Sequence, residues 1–302
     1  MHSLPFAQPG SFYRGNLHAH SDVSDGALSP ERLVQEYRRN RYDFIAVTDH
    51  FRERFGYPVT DTRHFRDEHF TTILGAELHP PALQNGEDWH ILAVGLPADF
   101  PAASPDEDGP ALARRARDAG AYVALAHPHW YSMTIEDGRS VDAAHAVEIF
   151  NLTCAMANDR GYGWYLADLL LGEGQRLHAI ATDDTHGKPA RPDLFGGWVM
   201  VKSESLDPDA LLSAIKSGHF YSSQGPQFHD IAVSPDRDKV QIACSPVTSV
   251  QVCGRAQRTR DLHGLEITRA EIPLDRVQGG HFRVTIIDRL GRRAWSNPIW
   301  ID

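Results

Sequence analysis

The chain has 302 residues, enough for one large α/β domain, alone or with a small appended domain. Its formal net charge of −10 disfavours a stable nucleic-acid partner, because binding a phosphate backbone requires clustered lysine and arginine. Seventeen histidines are unusual at this length, and histidine is the commonest metal ligand in proteins. The composition therefore favours a metal-binding globular protein.

The cysteines and the start of the chain bear on the cellular compartment. Cys154, Cys244 and Cys253 lack the paired spacing of a zinc ribbon or redox motif, so we expect reduced thiols. The first residues lack the basic region and apolar run of a signal peptide, and no later segment approaches about 18 consecutive apolar residues. We expect a cytoplasmic protein with no membrane partner.

A repeated βα pattern extends over roughly the first 220 residues. Short apolar runs that end at polar residues predict strands at 12–17, 43–48, 72–76, 91–95, 122–126, 147–150, 177–181 and 198–201. Crossover helices are predicted from Ser29-Pro30, at 110–120 and at 207–218, with capping residues at the start and glycine at the end of the last two. Two polar segments, 51–70 and 97–109, are expected to form loops over the site.

The pattern changes after Gly225-Pro226. Short alternating runs at 231–233, 240–243, 250–252 and 284–287 predict antiparallel strands. We therefore predict a barrel domain over 1–225 and a small β-rich, sandwich-like domain over 226–302. The role of the second domain, and whether the chain forms a homo-oligomer, stay open.

Histidine and acidic residues cluster where the predicted strands end, which in a β/α barrel is the face that carries active sites. The positions are His18, His20, Asp49, His50, Glu77, His127, Asp184 and His186. On a strand, residues i and i+2 point to the same side, so His18 and His20 can bind one ion together. Asp184 and His186 repeat this spacing. The mixed nitrogen and oxygen ligands suit two or three divalent ions of Zn, Mn or Fe.

Five ordered motifs resemble those of the polymerase and histidinol phosphatase (PHP) family. They are residues 17–26 (LHAHSDVSDG), 47–50 (VTDH), 75–77 (GAE), 126–128 (AHP) and 184–186 (DTH). Two further segments, 13–18 (YRGNLH) and 221–226 (YSSQGP), resemble the CehA/McbA-type metallohydrolase branch. The resemblance covers about residues 12–220 and implies an α/β fold with a distorted, (β/α)7-like, TIM-like barrel and a trinuclear metal site.

Carried over position by position, the resemblance implies three groups of ligands. They are His18, His20, Glu77 and Asp184; Glu77, His90 and His127; and Asp25, His50 and His186. His90 begins an apolar run instead of ending one, so its strand could run in the opposite direction or could start inside the mouth of the barrel. Asp183 competes with Asp184 for the acidic position, and the D-x-H spacing with His186 favours Asp184.

The leading hypothesis is a phosphoesterase that hydrolyses a small phosphorylated metabolite or nucleotide. Three divalent ions carry twice the charge of the carboxylates of Asp25, Glu77 and Asp184, so the pocket would stay positive and suit a phosphate dianion. Glu77 and Asp184 would be catalytic by bridging or binding the ions, with hydroxide as nucleophile. Arg52 and His129 are candidate contacts for the anionic substrate.

Two alternatives remain open at this stage. The same ions could hydrolyse an uncharged ester or carbamate, which would proceed without phosphate release. The chain could also be an inactive metal-binding module, although its complete set of predicted ligands argues against this. Glu148 and Asn151 could orient a ligand or contact substrate.

Overall fold

The computed structural model describes residues 4–277 and 280–301. The first ten strands are β1 (Ser11–Asn16), β2 (Phe44–Val47), β3 (His50–Phe51), β4 (Thr71–Leu78), β5 (Ile91–Val94), β6 (Tyr122–Leu125), β7 (Ala146–Asn151), β8 (His178–Thr182), β9 (Trp198–Ser203) and β10 (Phe220–Ser223). All eight strands predicted in this part of the chain are present, and β3 and β10 are additional.

Six α-helices occur in the described part of the chain. They are α1 (Pro30–Arg39), α2 (Gly109–Asp118), α3 (Ile135–Ser140), α4 (Leu152–Asn158), α5 (Trp164–Gly172) and α6 (Pro208–Lys216). The three predicted helices correspond to α1, α2 and α6. In α1, the hydroxyl of Ser29 accepts a hydrogen bond from the N–H of Arg32, and Pro30 occupies the first turn. Leu33, Val34 and Tyr37 are buried at the helical spacing expected for a face that packs on the sheet.

The strands around the site form a mixed sheet with parallel segments. β1, β2 and β4 pair in parallel, and β6, β7 and β8 do the same. β5 lies between these two groups and is antiparallel to both β4 and β6. The reversed direction anticipated for the strand after His90 is therefore confirmed. As a result, the amino end of β5 lies at the same edge as the carboxyl ends of the parallel strands.

The C-terminal region is antiparallel. Its strands are β11 (Phe228–Val233), β12 (Lys239–Gly254), β13 (Thr259–Pro273), β14 (His281–Ile287), β15 (Arg293–Ser296) and β16 (Ile299–Trp300). The runs predicted as separate strands at 240–243 and 250–252 belong to one strand, β12, so that prediction was wrong. β12 has register shifts between Ala243 and Ser249, where the alternating pattern is interrupted. β15 pairs with β10, which joins this region to the rest of the sheet.

The mixed α/β fold with an antiparallel C-terminal region is thus as predicted. The exact boundary at residue 225 stays a prediction, because β10 and β15 pair across it. Apolar side chains of the parallel strands, such as Ala46, Ala124 and Ile180, are fully buried and form part of the core. Within the described ranges, no helix is long and apolar enough to cross a membrane.

Candidate metal centre

The two predicted i, i+2 ligand pairs are held side by side by main-chain bonds. Ala19 and Thr185 form an isolated parallel β-bridge, so His18 and His20 flank the bridge on one chain segment. The N–H of His20 donates to the carbonyl of Thr185 at 2.8 Å, and the N–H of Asp184 donates to the carbonyl of His18 at 3.0 Å. Segments separated by about 165 positions in sequence are thereby fixed in register.

The first group surrounds Asp184. Its Oδ1 lies 2.9 Å from Nε2 of His20 and 3.3 Å from Nε2 of His18. Glu77 completes the group, with Oε1 3.7 Å from His18 Nε2 and Oε2 3.6 Å from His20 Nε2. These side chains are almost fully buried. Four predicted ligands therefore come together.

The second group shares Glu77. Its Oε1 lies 2.8 Å from Nδ1 of His90 and 3.0 Å from Nε2 of His127. His90 reaches this position because it precedes the reversed strand β5. His127 has a φ of 22° and Asp184 a φ of 51°, values that strain a residue other than glycine by about 1–3 kcal/mol. Positive φ at two neighbouring site residues indicates that the surrounding bonds fix the site geometry.

The third group lies on the more open side of the site. Oδ1 of Asp25 is 3.2 Å from Nε2 of His50 and 3.3 Å from Nε2 of His186. The ring of His20 lies 4.1 Å from that of His50 and 4.5 Å from that of His186, centre to centre. These four side chains form one set whose ligand atoms could hold an ion. All nine predicted ligands thus lie in overlapping groups, although their role as ligands stays a prediction.

Several of these buried atoms make no hydrogen bond among the described residues. They include Nε2 of His18, Oδ1 of Asp25 and Oε2 of Glu77. A buried polar atom without a partner costs about 1–3 kcal/mol, so such atoms are rare unless they bind something. Their close neighbours are other atoms of the same donor set. The arrangement therefore fits ions placed between them.

The electrostatics of the site favour ionised carboxylates. Burial opposes ionisation of Asp184, but His18 and His20 outweigh it and hold its pKa well below the ordinary value. Burial likewise opposes ionisation of Asp25, whose pKa is lowered by the adjacent rings of His186 and His50. Anionic oxygens are ligands for divalent cations. The carboxylates are therefore in the form that binds metal.

A second layer of polar residues orients the ligands. Oε1 of Glu148 is 3.0 Å from Nδ1 of His18, and Oε2 accepts a hydrogen bond from the N–H of His127 at 2.7 Å. The amide nitrogen of Asn151 donates to Oε2 of Glu148 at 2.9 Å and to Oδ2 of Asp184 at 3.1 Å. Such contacts fix the ring orientation of ligand histidines. Of the two roles considered for Glu148 and Asn151, the contacts favour orientation of ligands.

The carboxylates of two acidic residues bind main-chain or hydroxyl groups instead of the candidate ligands. Asp49 lies within the motif at 47–50, and Asp183 directly precedes the motif at 184–186. Asp183 accepts hydrogen bonds from the N–H groups of Phe195, Gly196 and Gly197. Asp49 accepts from the N–H and hydroxyl of Ser21 and from two further hydroxyls. Because their oxygens are engaged in this way, both residues hold loops. The preference for Asp184 over Asp183 therefore agrees with the geometry.

His79 belongs to the site but was not among the predicted residues. Its Nε2 lies 2.7 Å from Nδ1 of His50 and 3.2 Å from Oε2 of Glu77. These three side chains form another set that could hold an ion. The signal was present in the sequence, since Glu77 and His79 have the same i, i+2 spacing as His18 and His20.

The two candidate substrate contacts, Arg52 and His129, do not line the cavity next to the candidate ligands. Arg52 donates to Oδ2 of Asp88 at 2.6 Å and to Nδ1 of His79 at 3.0 Å. His129 is partly exposed, with its ring 6.5 Å from that of Tyr165. A role for Arg52 or His129 in binding substrate stays a prediction.

The cavity above the ligands has a volume of about 240 Å³. Besides seven of the predicted ligands, its lining comprises Trp130, Thr153, Cys154 and Arg191. Within the described ranges, neither of the two segments expected over the site, 51–70 and 97–109, contributes to this lining. The loops after β6 and β8 and the start of α4 do so instead. Segment 51–70 nevertheless borders the site, where the ring of Phe55 lies 6.3 Å from that of His50, so the expectation fails only in that neither segment lines the cavity.

The fold and the site together define a mixed α/β protein with a candidate multi-metal centre. No family model and no curated relative matches the chain. The solved structure of a two-domain protein from Bacteroides vulgatus, described as containing a predicted PHP-like metal-dependent phosphoesterase, matches with a TM-score of 0.56. The match covers 97% of this chain and 96% of that one, at 17% sequence identity. The predicted PHP resemblance is therefore confirmed for the fold.

Two further solved structures match over smaller parts of the chain. A candidate metal-dependent phosphoesterase from Bifidobacterium adolescentis covers 58% of this chain and 89% of its own, at 15% identity and a TM-score of 0.42. An amidohydrolase from Chromobacterium violaceum covers 59% of this chain and 89% of its own, at 16% identity and a TM-score of 0.38.

Proposed function

We propose that this protein is a metal-dependent phosphoesterase acting on a small phosphorylated metabolite or nucleotide. The observation that carries the proposal is the set of overlapping histidine and carboxylate groups that line one cavity. The TM-score of 0.56 to the two-domain PHP-like structure supports it. The cavity volume of about 240 Å³ suits a phosphate group with part of a small leaving group.

The residues present fit two or three divalent ions of Zn, Mn or Fe. His18, His20, Glu77 and Asp184 would hold one ion, and the groups that contain His90 and His50 would hold the others. When bound, such ions polarise a phosphoryl oxygen and lower the pKa of water towards neutrality. Glu77 and Asp184 have the central positions, because their oxygens lie within 4 Å of several histidines each.

Arg191 supplies a positive charge on the wall of this cavity. Its loop is fixed by Asp193, which accepts hydrogen bonds from the hydroxyl of Thr185 and from the N–H of Gly187. No ion pair to the guanidinium of Arg191 occurs among the described residues. A guanidinium can bind two phosphate oxygens at once, so Arg191 would bind and orient an anionic substrate. This charge favours a phosphate ester over an uncharged ester or carbamate.

The test is phosphate release from a panel of phosphomonoesters and phosphodiesters by protein reconstituted with Mn or Zn. We expect release that is lost in His20→Ala. Arg191→Met should raise KM by at least about 10-fold, because it removes a charged phosphate contact. Lys188→Met, which removes an exposed charge outside the cavity lining, should leave KM unchanged.

The alternatives give different results in the same assay. Hydrolysis of carboxylic esters or carbamates without phosphate release would contradict the phosphoesterase proposal and favour the uncharged substrate. Metal-replete protein that hydrolyses none of the panel would favour an inactive binding module. Equal KM values for wild type and Arg191→Met would remove Arg191 from the proposal while leaving the phosphoesterase activity intact.

A further inference from the structure

A second and larger cavity lies at the opposite end of the strands that carry the metal site. Its volume is about 530 Å³. His145, directly before β7, and His178, the first residue of β8, contribute to its wall. The metal-site residues follow the other ends of the same strands. A six-residue strand spans about 17 Å, so the two cavities are separate sites.

The floor of this cavity is apolar and well supported. It includes Phe220, Tyr221 and Ile299, and the partly exposed ring of Trp300 forms one side. The amide nitrogen of Asn297 donates to the carbonyl of Gly218 at 3.1 Å and to that of Phe220 at 3.0 Å, and its Oδ1 accepts from the N–H of Ala179 at 2.9 Å. These bonds fix the floor, as expected for a preformed ligand pocket.

The rim of the same cavity is positively charged, in contrast to the chain as a whole. Arg117 and Lys216 lie on it, and Asp142 is the one carboxylate of the described residues that lines it. The formal net charge of the protein is −10, so two cations with one acid are a local reversal of sign. The guanidinium carbon of Arg176 lies 4.7 Å from the centre of the Trp300 ring.

Two of these cations have main-chain carbonyls as their described hydrogen-bond partners. Arg117 donates to the carbonyl of Asp142 at 3.3 Å, and Lys216 donates to the carbonyl of Gly120. The carboxylate of Asp142 is instead 3.1 Å from Arg114. Carbonyl dipoles hold the side chains in place, and no carboxylate of the described residues forms an ion pair with either, although Asp209 acts on Lys216 from a greater distance. The rim therefore has capacity to bind an anion.

The pKa of His145 is affected by the same positive charges. Burial, followed by the positive charges of Arg117 and Lys216, lowers the pKa of His145 to about 4. Its Nδ1 accepts a hydrogen bond from the N–H of Val123 at 3.1 Å. The ring is therefore neutral near pH 7 and adds no charge to the rim. An anion near Arg117 and Lys216 would meet two cations and a neutral, polar wall.

We propose that this cavity binds a small organic anion with a flat apolar part. The apolar part would lie on the floor beside Trp300, and a carboxylate or phosphate would bind Arg117 and Lys216. The volume of about 530 Å³ is within the range of about 300–1,000 Å³ typical of small-molecule sites. This site would be independent of the metal centre, so the inference holds whether or not the protein is a phosphoesterase.

Calorimetric titration of the metal-loaded protein with three matched probes tests the inference. The probes are 2-naphthoate, 2-naphthylphosphonate, which has no hydrolysable ester, and the neutral 2-naphthalenemethanol. We expect one or both anions to bind at least 10-fold more tightly than the alcohol. Binding should weaken at least 10-fold in Arg117→Met/Lys216→Met, and the two single variants provide the same test if the double variant does not fold.

Two control variants locate the binding. Arg63→Met removes an exposed charge that is ion-paired with Asp61, and it should not change the affinity. His20→Ala, in the metal centre, should not change it either. Binding that is lost in His20→Ala but kept in Arg117→Met/Lys216→Met would place the anion at the metal centre and overturn the inference. Equal affinity for the alcohol and the anions, or no binding of either anion, would also overturn it.

Discussion

The carboxylates of Asp183 and Asp184 bind different partners although the two residues are consecutive. Oδ1 of Asp184 lies 2.9 Å from Nε2 of His20, whereas Asp183 accepts main-chain hydrogen bonds from the loop that precedes β9. The positive φ of Asp184, 51°, accompanies this divergence of the two side chains. One residue therefore belongs to the candidate metal centre, and its neighbour supports the loop that carries Arg191.

This division of roles predicts different defects for two matched variants. Asp184→Asn should abolish metal-dependent activity with little loss of stability, because its ionic contacts serve the site. Asp183→Asn should lower the free energy of unfolding by about 2–4 kcal/mol, because charged acceptors of buried N–H groups contribute about 1.5–3 kcal/mol each. Denaturant unfolding and an assay of the folded fraction measure both effects. The reverse pattern would contradict the assignment.

The shared position of Glu77 predicts a loss of more than one metal ion. Glu77 belongs to three of the five sets of side chains that could hold an ion. Glu77→Gln removes its negative charge, so we expect the metal content to fall by more than one ion per chain and activity to fall more than about 100-fold. Mass spectrometry of metal-reconstituted protein measures the content. Glu107→Gln, which affects a surface pair with Arg115, should keep full metal content.

Arg52 is expected to act through His79. Nδ1 of His79 lies 3.0 Å from a guanidinium nitrogen of Arg52 and 3.1 Å from the carbonyl oxygen of Trp89, and these contacts orient the ring, whose Nε2 lies 3.2 Å from Oε2 of Glu77. Arg52→Met and Asp88→Asn should therefore each lower kcat by about 10-fold with little change in KM. Steady-state kinetics distinguish this from direct substrate binding, for which Arg52→Met would chiefly raise KM.

The lowered pKa of His145 predicts a pH-dependent contribution to stability. The unfolded ring titrates near its ordinary pKa of about 6.5, whereas in the native protein the pKa is about 4. Below about pH 6.5, His145 binds a proton in the unfolded chain but stays neutral in the native protein. The free energy of unfolding therefore falls as the pH drops from about 6.5 to 4. Because the ring is partly exposed, solvent screening limits the effect to about 1–2 kcal/mol.

His145→Asn isolates this contribution, since the amide oxygen can still accept from the N–H of Val123. The difference in unfolding free energy between wild type and variant should change by about 1–2 kcal/mol between pH 7 and pH 4.5, in favour of the variant at low pH. Denaturant titrations at both pH values measure it. A difference that is independent of pH would contradict the neutral state of His145.

The clustering of the candidate ligands could be predicted because it depends on local geometry. The i, i+2 spacing of His18 and His20 survives in the structure, where Ala19 pairs with Thr185 between the two ligand segments. The reversed strand after His90 was also detectable, because an apolar run that begins at a ligand must place its amino end at the site. The first inference requires only the alternation of side chains along a strand. The second requires only that His90 lies at the amino end of its strand.

Other features depend on contacts between distant segments. Nothing in the spacing of Arg191 distinguishes it from exposed Lys188, and its place on the cavity wall results from the bonds that Asp193 makes with Thr185 and Gly187. The charged rim of the second cavity likewise combines distant residues. Arg117 lies at the end of α2, Arg176 follows α5, and Lys216 ends α6. Tertiary packing decides such positions, so sequence patterns do not reveal them.

The reversal of β5 has a consequence for the order in which the site assembles during folding. Glu77 and His90 are only 13 positions apart, whereas His20 and Asp184 are 164 positions apart. Closing the longer loop costs about 2 kcal/mol more in free energy, because more chain entropy is lost. The contact between Glu77 and His90 can therefore form first and independently. The site becomes complete only after the segment that follows β8 has paired with the segment that follows β1, through Ala19 and Thr185. A refolding chain therefore acquires its full affinity for metal at a late step.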